Sequence, residues 1–434
     1  MREFLKEIKS KVLIYDGSKG YMLQKLGMKG GECPELWNVT HAEEVKQIYR
    51  EYRKAGADVI QTNTFQGNRL KLSEYSLGDR TYELNFEGAR LAREVMGRDG
   101  YVAASIGPLG KLLEPYGELK FEQAYEIYAE QVKAVAEGGV DIINFETFTD
   151  LAEMRAALLA AKENSDLPLI CSVSFEANGK TLMGSDPYTV VTVLKSLGAD
   201  IVGTNCSSGP ANMLEIVKSM SQTGDVYLSA KPNAGIPQVV NGETVYSECP
   251  GSFAEIAKEF VKYGARLIGG CCGTTPEFIA EIRKNIEGLA PVKPAGNCDR
   301  IITSDVKSLN LDKTDLKAGK IVAKADNSML KDLSEGSMDC LVDISMELTE
   351  EDSNAVYINL DGVDGIETVL PEAVKTLQTY SKLPFIFESS NTKALSNALR
   401  IYRGKAGVVL GEIENMEDII TVAKKYGSTL MKGI

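Results

Sequence analysis

The sequence predicts an α/β protein made of a (β/α)8 barrel of the TIM type, followed by a smaller, partial α/β lobe. Short apolar runs alternate with longer amphipathic segments through roughly the first 290 residues, which is typical of repeated βα units. Eight such units in this length match a TIM barrel in strand number and size. The apolar runs are Val12–Tyr15, Ala57–Gln61, Tyr101–Ile106, Val140–Phe145, Leu167–Val173, Ala199–Val202, Val226–Ala230 and Ala265–Ile268.

Glycine residues mark the change from helix to strand at four of these runs. Gly56, Gly139, Gly198 and Gly264 each stand just before an apolar run, where a glycine ends the preceding helix and the buried strand begins at once. An open doubly wound sheet is the main alternative, and it would carry a glycine-rich phosphate-binding first turn. The first turn here, Asp16–Gly20, has no G-x-G-x-x-G pattern, which favours the barrel.

The character of the sequence changes after the eighth unit. Residues 291–315 begin with prolines and a glycine, which indicates a linker. Residues 316–434 alternate strands and helices again, but they hold only about half of the units that a barrel needs. We therefore predict domains at 1–290 and 316–434. In the second, the predicted strands are Ala355–Leu360, Pro384–Phe387 and Ala406–Leu410, and the predicted helices are Glu367–Tyr380, Thr392–Tyr402 and Met416–Tyr426.

Charge and composition exclude several classes of function. The 434 residues carry a net charge of −13, whereas binding to nucleic acid or to an anionic membrane needs clustered Lys and Arg. No apolar run is long enough for a transmembrane helix and no signal segment opens the chain, so we expect a cytoplasmic protein. The one histidine, His41, stands at the start of a predicted helix, which argues against a Ser-His-Asp site or a His-rich metal site.

The ends of the predicted strands bring three thiols together, because active sites of these barrels lie at the C-terminal ends of the strands. Strand six ends in Cys206, and strand eight ends in Cys271 and Cys272. Adjacent strand residues point to opposite faces, so the chain must turn for Cys271 and Cys272 to face one metal ion. Three glycines allow such a turn: Gly269, Gly270 and Gly273.

Three thiolates at one rim predict a Zn2+ site. Tetrahedral zinc with three protein ligands keeps one position open, which is the catalytic pattern. A thiol substrate there would have a lowered pKa and would be present as the nucleophilic thiolate. Two alternatives stay open, namely three inert buried cysteines or a strained redox pair at Cys271 and Cys272. The other cysteines are interpreted as small apolar residues: Cys33, Cys171, Cys249, Cys298 and Cys340.

Two carboxylates also end predicted strands, Asp16 after strand one and Glu146 after strand four. Charge-assisted hydrogen bonds position ammonium groups well, so both side chains are candidates for binding the amino group of an amino-acid substrate. The alternative is that each carboxylate caps a strand end or lies on the solvated surface.

Seven stretches carry a recognisable pattern: Asp16–Gly20, Ala55–Phe65, Ser105–Pro108, Glu146–Phe148, Gly203–Cys206, Lys231–Gly235 and Gly269–Thr274. Together they resemble the homocysteine S-methyltransferase domain family, over roughly residues 10–290. The resemblance implies a TIM barrel in which Cys206, Cys271 and Cys272 bind zinc. It also implies that the sulfur of homocysteine completes the zinc site.

The same resemblance bears on the substrate pocket. It implies that Asp16 and Glu146 hold the amino-acid end of homocysteine. Gly17 and Asn233 lie in the matching stretches and are expected to contribute to the same pocket. One difference concerns a histidine that many members carry before the second strand, where this chain has Tyr49 or Tyr52. This difference affects none of the expected zinc ligands.

Residues Leu370–Leu410 carry a second pattern, clearest at Leu383–Asn391 and Leu399–Lys405. They resemble a fragment of the pterin-binding barrel that follows the first domain in cobalamin-dependent methionine synthases. The opening motif and roughly half of that barrel are absent, and Glu388-Ser389 stands where members usually carry Asp-Ser. A closed barrel or a folate site is therefore not expected. The lobe is interpreted as a cover for the first barrel or as a docking site for a methyl-carrying corrinoid protein.

The sequence thus predicts zinc-dependent transfer of a methyl group to the thiol of homocysteine, which forms methionine. The expected donor is a methylcorrinoid protein, and S-methylmethionine and a betaine are the alternatives. A betaine enzyme would carry an aromatic cage for the quaternary ammonium, and the single tryptophan, Trp37, does not establish one. The competing hypothesis is a non-catalytic, zinc-stabilised subunit that binds a partner through the C-terminal lobe.

Overall fold

The computed structural model describes residues 3–223, 226–240, 243–294, 296–350, 352–411 and 415–433. The chain divides into two compact units. The first unit comprises Met1–Leu182 and Ala199–Gly296, and the second comprises Met183–Gly198 and Asn297–Ile434. The helix between residues 183 and 198 thus belongs to the second unit, although its sequence position lies within the eight βα repeats.

The strands of the first unit are β1 Leu13–Ile14, β2 Val59–Gln61, β3 Tyr101–Ile106, β4 Ile142–Phe148, β5 Leu169–Val173, β6 Ile201–Asn205, β7 Tyr227–Lys231, β8 Pro237–Val240, β9 Glu243–Tyr246 and β10 Ala265–Ile268. Eight of them form one parallel sheet in the order β1-β10-β7-β6-β5-β4-β3-β2, which confirms the predicted barrel. A bridge between Tyr15 and Val59 joins the two ends of this sheet. The remaining two strands, β8 and β9, form an antiparallel hairpin after β7.

The helices up to residue 286 are α1 Glu3–Glu7, α2 Lys19–Lys25, α3 Trp37–Thr40, α4 Ala42–Lys54, α5 Arg69–Ser73, α6 Thr81–Met96, α7 Phe121–Glu137, α8 Leu151–Asn164, α9 Pro187–Leu197 (in the second unit), α10 Pro210–Ser221, α11 Pro250–Lys262 and α12 Pro276–Ile286. Helix α4 shows the pattern that packs them on the sheet. Its buried residues Val45, Ile48, Tyr49 and Tyr52 recur at helical spacing on one face, as expected for an amphipathic helix. Among the described residues, no helix is both long and apolar enough to cross a bilayer.

The inward-facing side chains of the barrel change from apolar to charged along the strands. Strand residues two apart share a face, so Ile142, Asn144 and Glu146 of β4 follow this change towards the C-terminal end. Strand β7 repeats it between Tyr227 and Lys231. The apolar end is closed by a buried cluster: Phe4, Ile8, Leu13, Tyr15, Val59, Ala103, Ile142, Ile170, Ile201 and Leu267.

Tyr52 ties two loops together at the C-terminal rim of the barrel. Its hydroxyl lies 3.0 Å from the carbonyl oxygen of Ser18 and 2.9 Å from that of Thr274. The loops after β1 and β10, which carry candidate site residues, therefore share one buried hydrogen-bonding group. Tyr49 has a related role, because its hydroxyl accepts the N–H of Asn63 at 2.8 Å.

The second unit contains β11 Ile301–Thr303, β12 Ser308–Asn310, β13 Ala318–Val322, β14 Ala355–Asn359, β15 Phe385–Phe387, β16 Gly407–Val409 and β17 Thr429–Met431, with α9, α13 Asn327–Ser334, α14 Asp339–Glu350, α15 Ile366–Tyr380, α16 Thr392–Ile401 and α17 Met416–Lys425. Strands β13 to β17 form an open parallel sheet in chain order, and β11 pairs with β12 as a hairpin. Ile302 and Leu309 of the hairpin are buried in one cluster with Ile386 and Val409 of the sheet. The described residues thus form a partial α/β lobe, as predicted.

Several elements of this unit were not anticipated from the sequence, among them helices α13 and α14. The hairpin lies within residues 291–315, the range that was expected to be a linker. The sequence pattern missed it because its strands have only three residues each. Strand β17 at one edge of the sheet is also three residues long, and Lys320 interrupts the apolar pattern of β13 at the other edge. Helix α9 contacts this hairpin through a hydrogen bond of 2.9 Å between the hydroxyls of Thr189 and Ser308.

Gly203→Ala is expected to destabilise the barrel. Gly203 lies on β6 between Ser172 and Ser229 of the neighbouring strands. An added Cβ would lie 2.5 Å from Ser172 Oγ and 2.9 Å from Ser229 Cβ. Overpacking of this kind lowers the free energy of unfolding by about 1–3 kcal/mol, which denaturant unfolding followed by circular dichroism would measure.

Gly251→Ala is the matched control. Gly251 lies in the first turn of α11, and an added Cβ there would meet no heavy atom within 4 Å. This variant is expected to be neutral or slightly stabilising, because alanine loses less backbone entropy on folding than glycine. Equal stability of both variants would contradict close packing in the middle of the barrel.

Candidate metal centre and substrate cavity

The three cysteines predicted as metal ligands lie together at the C-terminal rim of the barrel. Cys206 follows β6, and Cys271 and Cys272 follow β10. Their sulfur atoms all lie within 4.8 Å of one another, and the sulfurs of Cys206 and Cys272 are 3.8 Å apart. This cluster is the one group of three or more His, Cys, Asp or Glu side chains with metal-binding spacing in the described part of the chain.

Backbone strain at the end of β6 orients Cys206. Cys206 and Ser207 have φ values of 61° and 58°, in the left-handed region that residues with a Cβ seldom adopt. The Cys206 N–H donates to the carbonyl of Lys231 at 3.1 Å, which holds the turn to β7. Such backbone strain persists only where surrounding contacts hold the residue in place, and it occurs most often at functional sites.

The glycines around Cys271 and Cys272 have two different roles. Gly273 has a φ of 77° and makes the turn that the sequence predicted. Gly269 instead allows close packing, because an added Cβ would lie 2.5 Å from the Cβ of Tyr15. Gly270 is similar, since a Cβ there would overlap the side chain of Thr274. The turn therefore depends on Gly273, the close approach of the loop to the end of β1 depends on Gly269, and the packing of the loop on its own Thr274 depends on Gly270.

Hydrogen bonds among the thiols separate their pKa values. Hydrogen bonds with Cys271 and Cys272 lower the pKa of the Cys206 thiol. The same interaction with Cys206 raises the pKa of Cys271 to about 11, and it raises the pKa of Cys272 well above its ordinary value. A bound cation would be needed for all three sulfurs to lose their protons.

Backbone and amide groups fix the positions of the three cysteines. Asn233 is buried, and its Oδ1 accepts the N–H of Cys272 at 3.1 Å. Asn205 places Nδ2 3.8 Å from the sulfur of Cys271, and its Oδ1 accepts the N–H of Thr147 at 2.8 Å. Asn233, expected among the substrate residues, thus lies beside the cysteine cluster. These contacts orient the sulfurs before any ligand is bound.

The sulfur cluster fits the ligand set of zinc. In a tetrahedral site with Zn–S distances of ~2.3 Å, the sulfurs stand roughly 3.8 Å apart. The Cys206–Cys272 distance of 3.8 Å agrees with this spacing. Three sulfur ligands also leave one tetrahedral position for a substrate thiol.

A cavity of about 490 Å³ opens beside the cysteines, entirely within the first unit. Five of the seven residues predicted for the site line it: Gly17, Glu146, Cys206, Cys271 and Cys272. Asp16 and Asn233 do not belong to its lining and are buried next to it. The structure therefore brings all seven predicted residues to one rim.

Glu146 belongs to a buried network that sequence reasoning missed. Its Oε1 accepts hydrogen bonds from Ser105 Oγ and from Gln61 Nε2, the latter at 2.5 Å, and its Oε2 forms an ion pair with Lys231. Lys231 also donates to Gln61 Oε1 at 2.9 Å. The sequence did contain a signal for this network. Gln61 and Lys231 are the last residues of β2 and β7, so they lie at the same end of the barrel as Glu146.

Asp16 is completely buried and has one unused oxygen. Its Oδ2 accepts the N–H of Gln61 at 2.9 Å and the ammonium of Lys19 at 2.7 Å. Its Oδ1 has no hydrogen-bond partner among the described residues. Burial raises the pKa of this carboxyl, and the charge of Lys19 opposes that rise. An unpaired buried carboxylate oxygen is costly, so this atom suits a donor from a ligand.

The remaining cysteines and the histidine lie outside this site. Cys33, Cys171 and Cys298 are buried, and Cys340 is half-buried. Cys249 is exposed at the start of α11, so the interpretation as a small apolar residue is wrong there. His41 is exposed, stacks on Trp37 at a ring distance of 4.0 Å, and does not line the cavity.

Two curated relatives resemble this chain. The methionine synthase of Mycobacterium tuberculosis (strain ATCC 25618 / H37Rv) is 29% identical over 432 residues, which cover 94% of this chain and 36% of that protein. The methionine synthase of Mycobacterium leprae (strain TN) is 32% identical over 300 residues, covering 64% of this chain and 25% of that protein. The chain thus spans about a third or less of the length of these relatives.

A solved structure supports the barrel fold. The metallated form of the homocysteine methyltransferase MmuM from Escherichia coli superposes with a TM-score of 0.56 at 21% identity. The superposition covers 65% of this chain and 98% of that protein.

The chain also matches the profile of a protein family. The profile of the homocysteine S-methyltransferase family matches residues 13–286, a range that contains the eight barrel strands, the three cysteines, Asp16 and Glu146. This range is more than half of the chain. The chain therefore belongs to the homocysteine S-methyltransferase family of enzymes.

Proposed function

We propose that this chain transfers a methyl group to the thiol of homocysteine and so forms methionine. One observation carries the proposal: three convergent cysteine sulfurs stand beside a cavity whose wall includes Glu146, a buried carboxylate paired with Lys231. A thiol amino acid needs both features, one for its sulfur and one for its ammonium group. The family membership of the barrel supports the same assignment.

Cys206, Cys271 and Cys272 would hold a zinc ion. When bound, zinc supplies the positive charge that lowers the pKa of a substrate thiol and keeps the thiolate at neutral pH. The residues around the cluster contribute orientation, because Asn233 and Asn205 fix the loop and the sulfurs before substrate arrives. The domain belongs in a reducing compartment such as the cytoplasm, since all eight cysteines are free and the proposed ligands must stay reduced.

Asp16 and Glu146 would bind the ammonium group of homocysteine. Glu146 lines the cavity, and Lys231 behind it neutralises the carboxylate without entering the cavity lining. Asp16 offers its unpaired Oδ1. Gly17 lines the same wall, and a Cβ there would stand 2.7 Å from Thr274 Oγ1, so only glycine fits between the cavity and the loop after β10.

The chemistry itself requires little from the protein beyond positioning. The thiolate sulfur attacks the methyl carbon, a sulfur–carbon bond forms, and the bond to the donor breaks with its electron pair on the donor. No general base is needed once the thiol is ionised. The contribution of the site is the correct alignment of sulfur and methyl group, which can be worth several orders of magnitude in rate.

We propose a methylcorrinoid protein as the donor. The similarity to a methionine synthase extends over 94% of this chain, which includes the second unit as well as the barrel. Together with the resemblance of Leu370–Leu410 to cobalamin-dependent methionine synthases, this extent supports a corrinoid donor. S-methylmethionine and a betaine are the alternatives, and the rings of Tyr21, Phe65 and Tyr246 in the cavity wall would suit a cationic donor. Domain limits of 1–290 and 316–434 stay part of this proposal, and the predicted linker at 291–315 contains the β11–β12 hairpin of the second unit.

Cys206→Ala, Cys271→Ala and Cys272→Ala are each expected to remove zinc binding. Loss of one thiolate leaves too few ligands for a closed tetrahedral set, so affinity should fall by at least about tenfold. Zinc content after dialysis and the sulfur-to-cobalt absorption of the Co2+-substituted protein would measure this. Cys249→Ala, an exposed cysteine outside the cluster, is the control, and loss of metal in that variant would argue against the assignment.

Glu146→Gln and Asp16→Asn are expected to weaken homocysteine binding selectively. Each removes a charge-assisted hydrogen bond to the ammonium group, so Kd for homocysteine should rise about tenfold or more. Binding of propane-1-thiol, which has no ammonium group, should change little, and calorimetry on the metal-loaded protein would compare the two. Glu118→Gln at an exposed position is the control. Equal losses for both thiols would contradict the role of the two carboxylates.

Methyl transfer from a panel of donors at fixed homocysteine tests the reaction. The metal-loaded chain is expected to form methionine from methylcobalamin and to release cob(I)alamin, both followed by absorbance and mass spectrometry. Cys206→Ala should abolish this activity. Methionine formed only from S-methylmethionine or from glycine betaine would replace the proposed donor. No product from any donor, together with no binding of homocysteine, would support the non-catalytic subunit.

A further inference from the structure

The charges around the cavity point to one residue that neither the family resemblance nor the reaction assigns. Among the described residues that line the cavity, Lys19 is the one cation. The lining carboxylates are Glu146, which is paired with Lys231, and Glu35, which accepts the N–H of Gln66 at 2.8 Å. An amino-acid ligand brings a carboxylate into this cavity as well as an ammonium group. Lys19 is therefore the cation available for that carboxylate.

Lys19 and Lys231 differ in their freedom to move. The side chain of Lys231 is 1% exposed, contacts both Gln61 and Glu146, and lies 4.7 Å from the centre of the Tyr15 ring. The side chain of Lys19 is 12% exposed, pairs with Asp16 at 2.7 Å and has a longer contact with the Gly17 carbonyl at 3.5 Å. Lys231 is thus enclosed by protein, whereas Lys19 reaches its partner from the cavity side.

Lys19 also occupies one of the two oxygens of Asp16. Asp16 has no exposed surface, and the Lys19 ammonium lies on its Oδ2 while Oδ1 has no partner in the described part of the chain. A ligand ammonium on Oδ1 would compete with Lys19 for the single negative charge of this carboxylate. Once displaced from Asp16, the ammonium of Lys19 would be a mostly buried charge without a partner. This state is energetically costly unless another anion binds it.

The balance of charge suits an exchange of partners. Asp16 with Lys19 and Glu146 with Lys231 form two neutral pairs. A zwitterion adds one positive and one negative charge, so each group finds a partner after the exchange. A ligand with only an ammonium group would leave Lys19 unpaired, and a ligand with only a carboxylate would leave Lys19 shared between two anions.

We propose that Lys19 recognises the α-carboxylate of the amino-acid thiol, and that it moves from Asp16 to this carboxylate when the substrate ammonium binds Asp16. Lys19 is then a specificity residue that selects thiols carrying both charged groups. The inference rests on the proposed function, because it names the part of the substrate that contacts this residue. It involves no covalent step.

Three thiols separate the two charged groups of the substrate. Homocysteine carries both, 3-aminopropane-1-thiol lacks the carboxylate, and 4-mercaptobutanoate lacks the ammonium group. Binding of each thiol to the full metal-loaded chain is measured by calorimetry for the wild type, Lys19→Met and Lys19→Arg. Lys25→Met is the matched control, because Lys25 lies in the same helix with its ammonium over the Tyr21 ring at 4.7 Å and does not line the cavity.

Lys19→Met is expected to raise Kd about tenfold or more for homocysteine and for 4-mercaptobutanoate, because a charge-assisted hydrogen bond is lost. Binding of 3-aminopropane-1-thiol should stay within about twofold or become tighter, since the competitor for Asp16 is gone. Lys19→Arg should restore part of the affinity for the two carboxylates. Lys25→Met should bind all three thiols as the wild type does.

The opposite pattern would overturn the proposal. Equal losses of affinity for all three thiols in Lys19→Met would mean that Lys19 only supports the loop, and unchanged affinity for all three would mean that it contacts no substrate. Failure of the proposed function looks different. In that case the wild-type chain itself would bind homocysteine no better than propane-1-thiol and would transfer no methyl group.

Discussion

Gln61 connects the buried charges at the rim of the barrel. Its N–H donates to Asp16, its side-chain amide donates to Glu146, and its side-chain carbonyl accepts from Lys231. A carboxylate removed from water is stable only when it is paired and hydrogen-bonded. Both carboxylates proposed for the substrate ammonium are therefore aligned by a residue with no charge of its own, and their geometry exists before the substrate binds.

Lys231 links this network to the cysteine cluster. Its ammonium neutralises Glu146, and its backbone carbonyl accepts the N–H of Cys206 at the strained end of β6. The same residue thus helps to set the positions of Cys206, a proposed zinc ligand, and of Glu146, a carboxylate proposed to bind the substrate. A substrate bound through its sulfur and its ammonium group needs a constant distance between Cys206 and Glu146. Lys231 at the end of β7 contacts both residues and so helps to fix that distance. The apolar layers below carry no such groups and provide the rigid support.

The second unit distributes its polar groups differently. Its strand ends carry Asp361, whose oxygens accept hydrogen bonds from the hydroxyls of Ser389 and Ser390, and Glu388, which accepts from Tyr357. These groups satisfy one another. Within the described residues, Asp16 in the barrel holds the one buried carboxylate oxygen that has no partner. The observations that point to ligand chemistry are therefore concentrated in the first unit, and the second unit is an open sheet that supports no closed pterin-type barrel.

The amino-acid sequence by itself determined the barrel, its strand ends and the three cysteines, because these depend on local rules of periodicity and on which residue follows each strand. It also placed Asp16 and Glu146 at the correct rim. Only the tertiary structure decided which charges pair, because Lys231 meets Glu146 across 85 residues and Gln61 across 170 residues of chain. It likewise decided that α9 belongs to the second unit. Only the structure shows that Oδ2 of Asp16 is hydrogen-bonded while Oδ1 has no partner among the described residues. Such pairings follow from the register of the closed sheet, which no local pattern records.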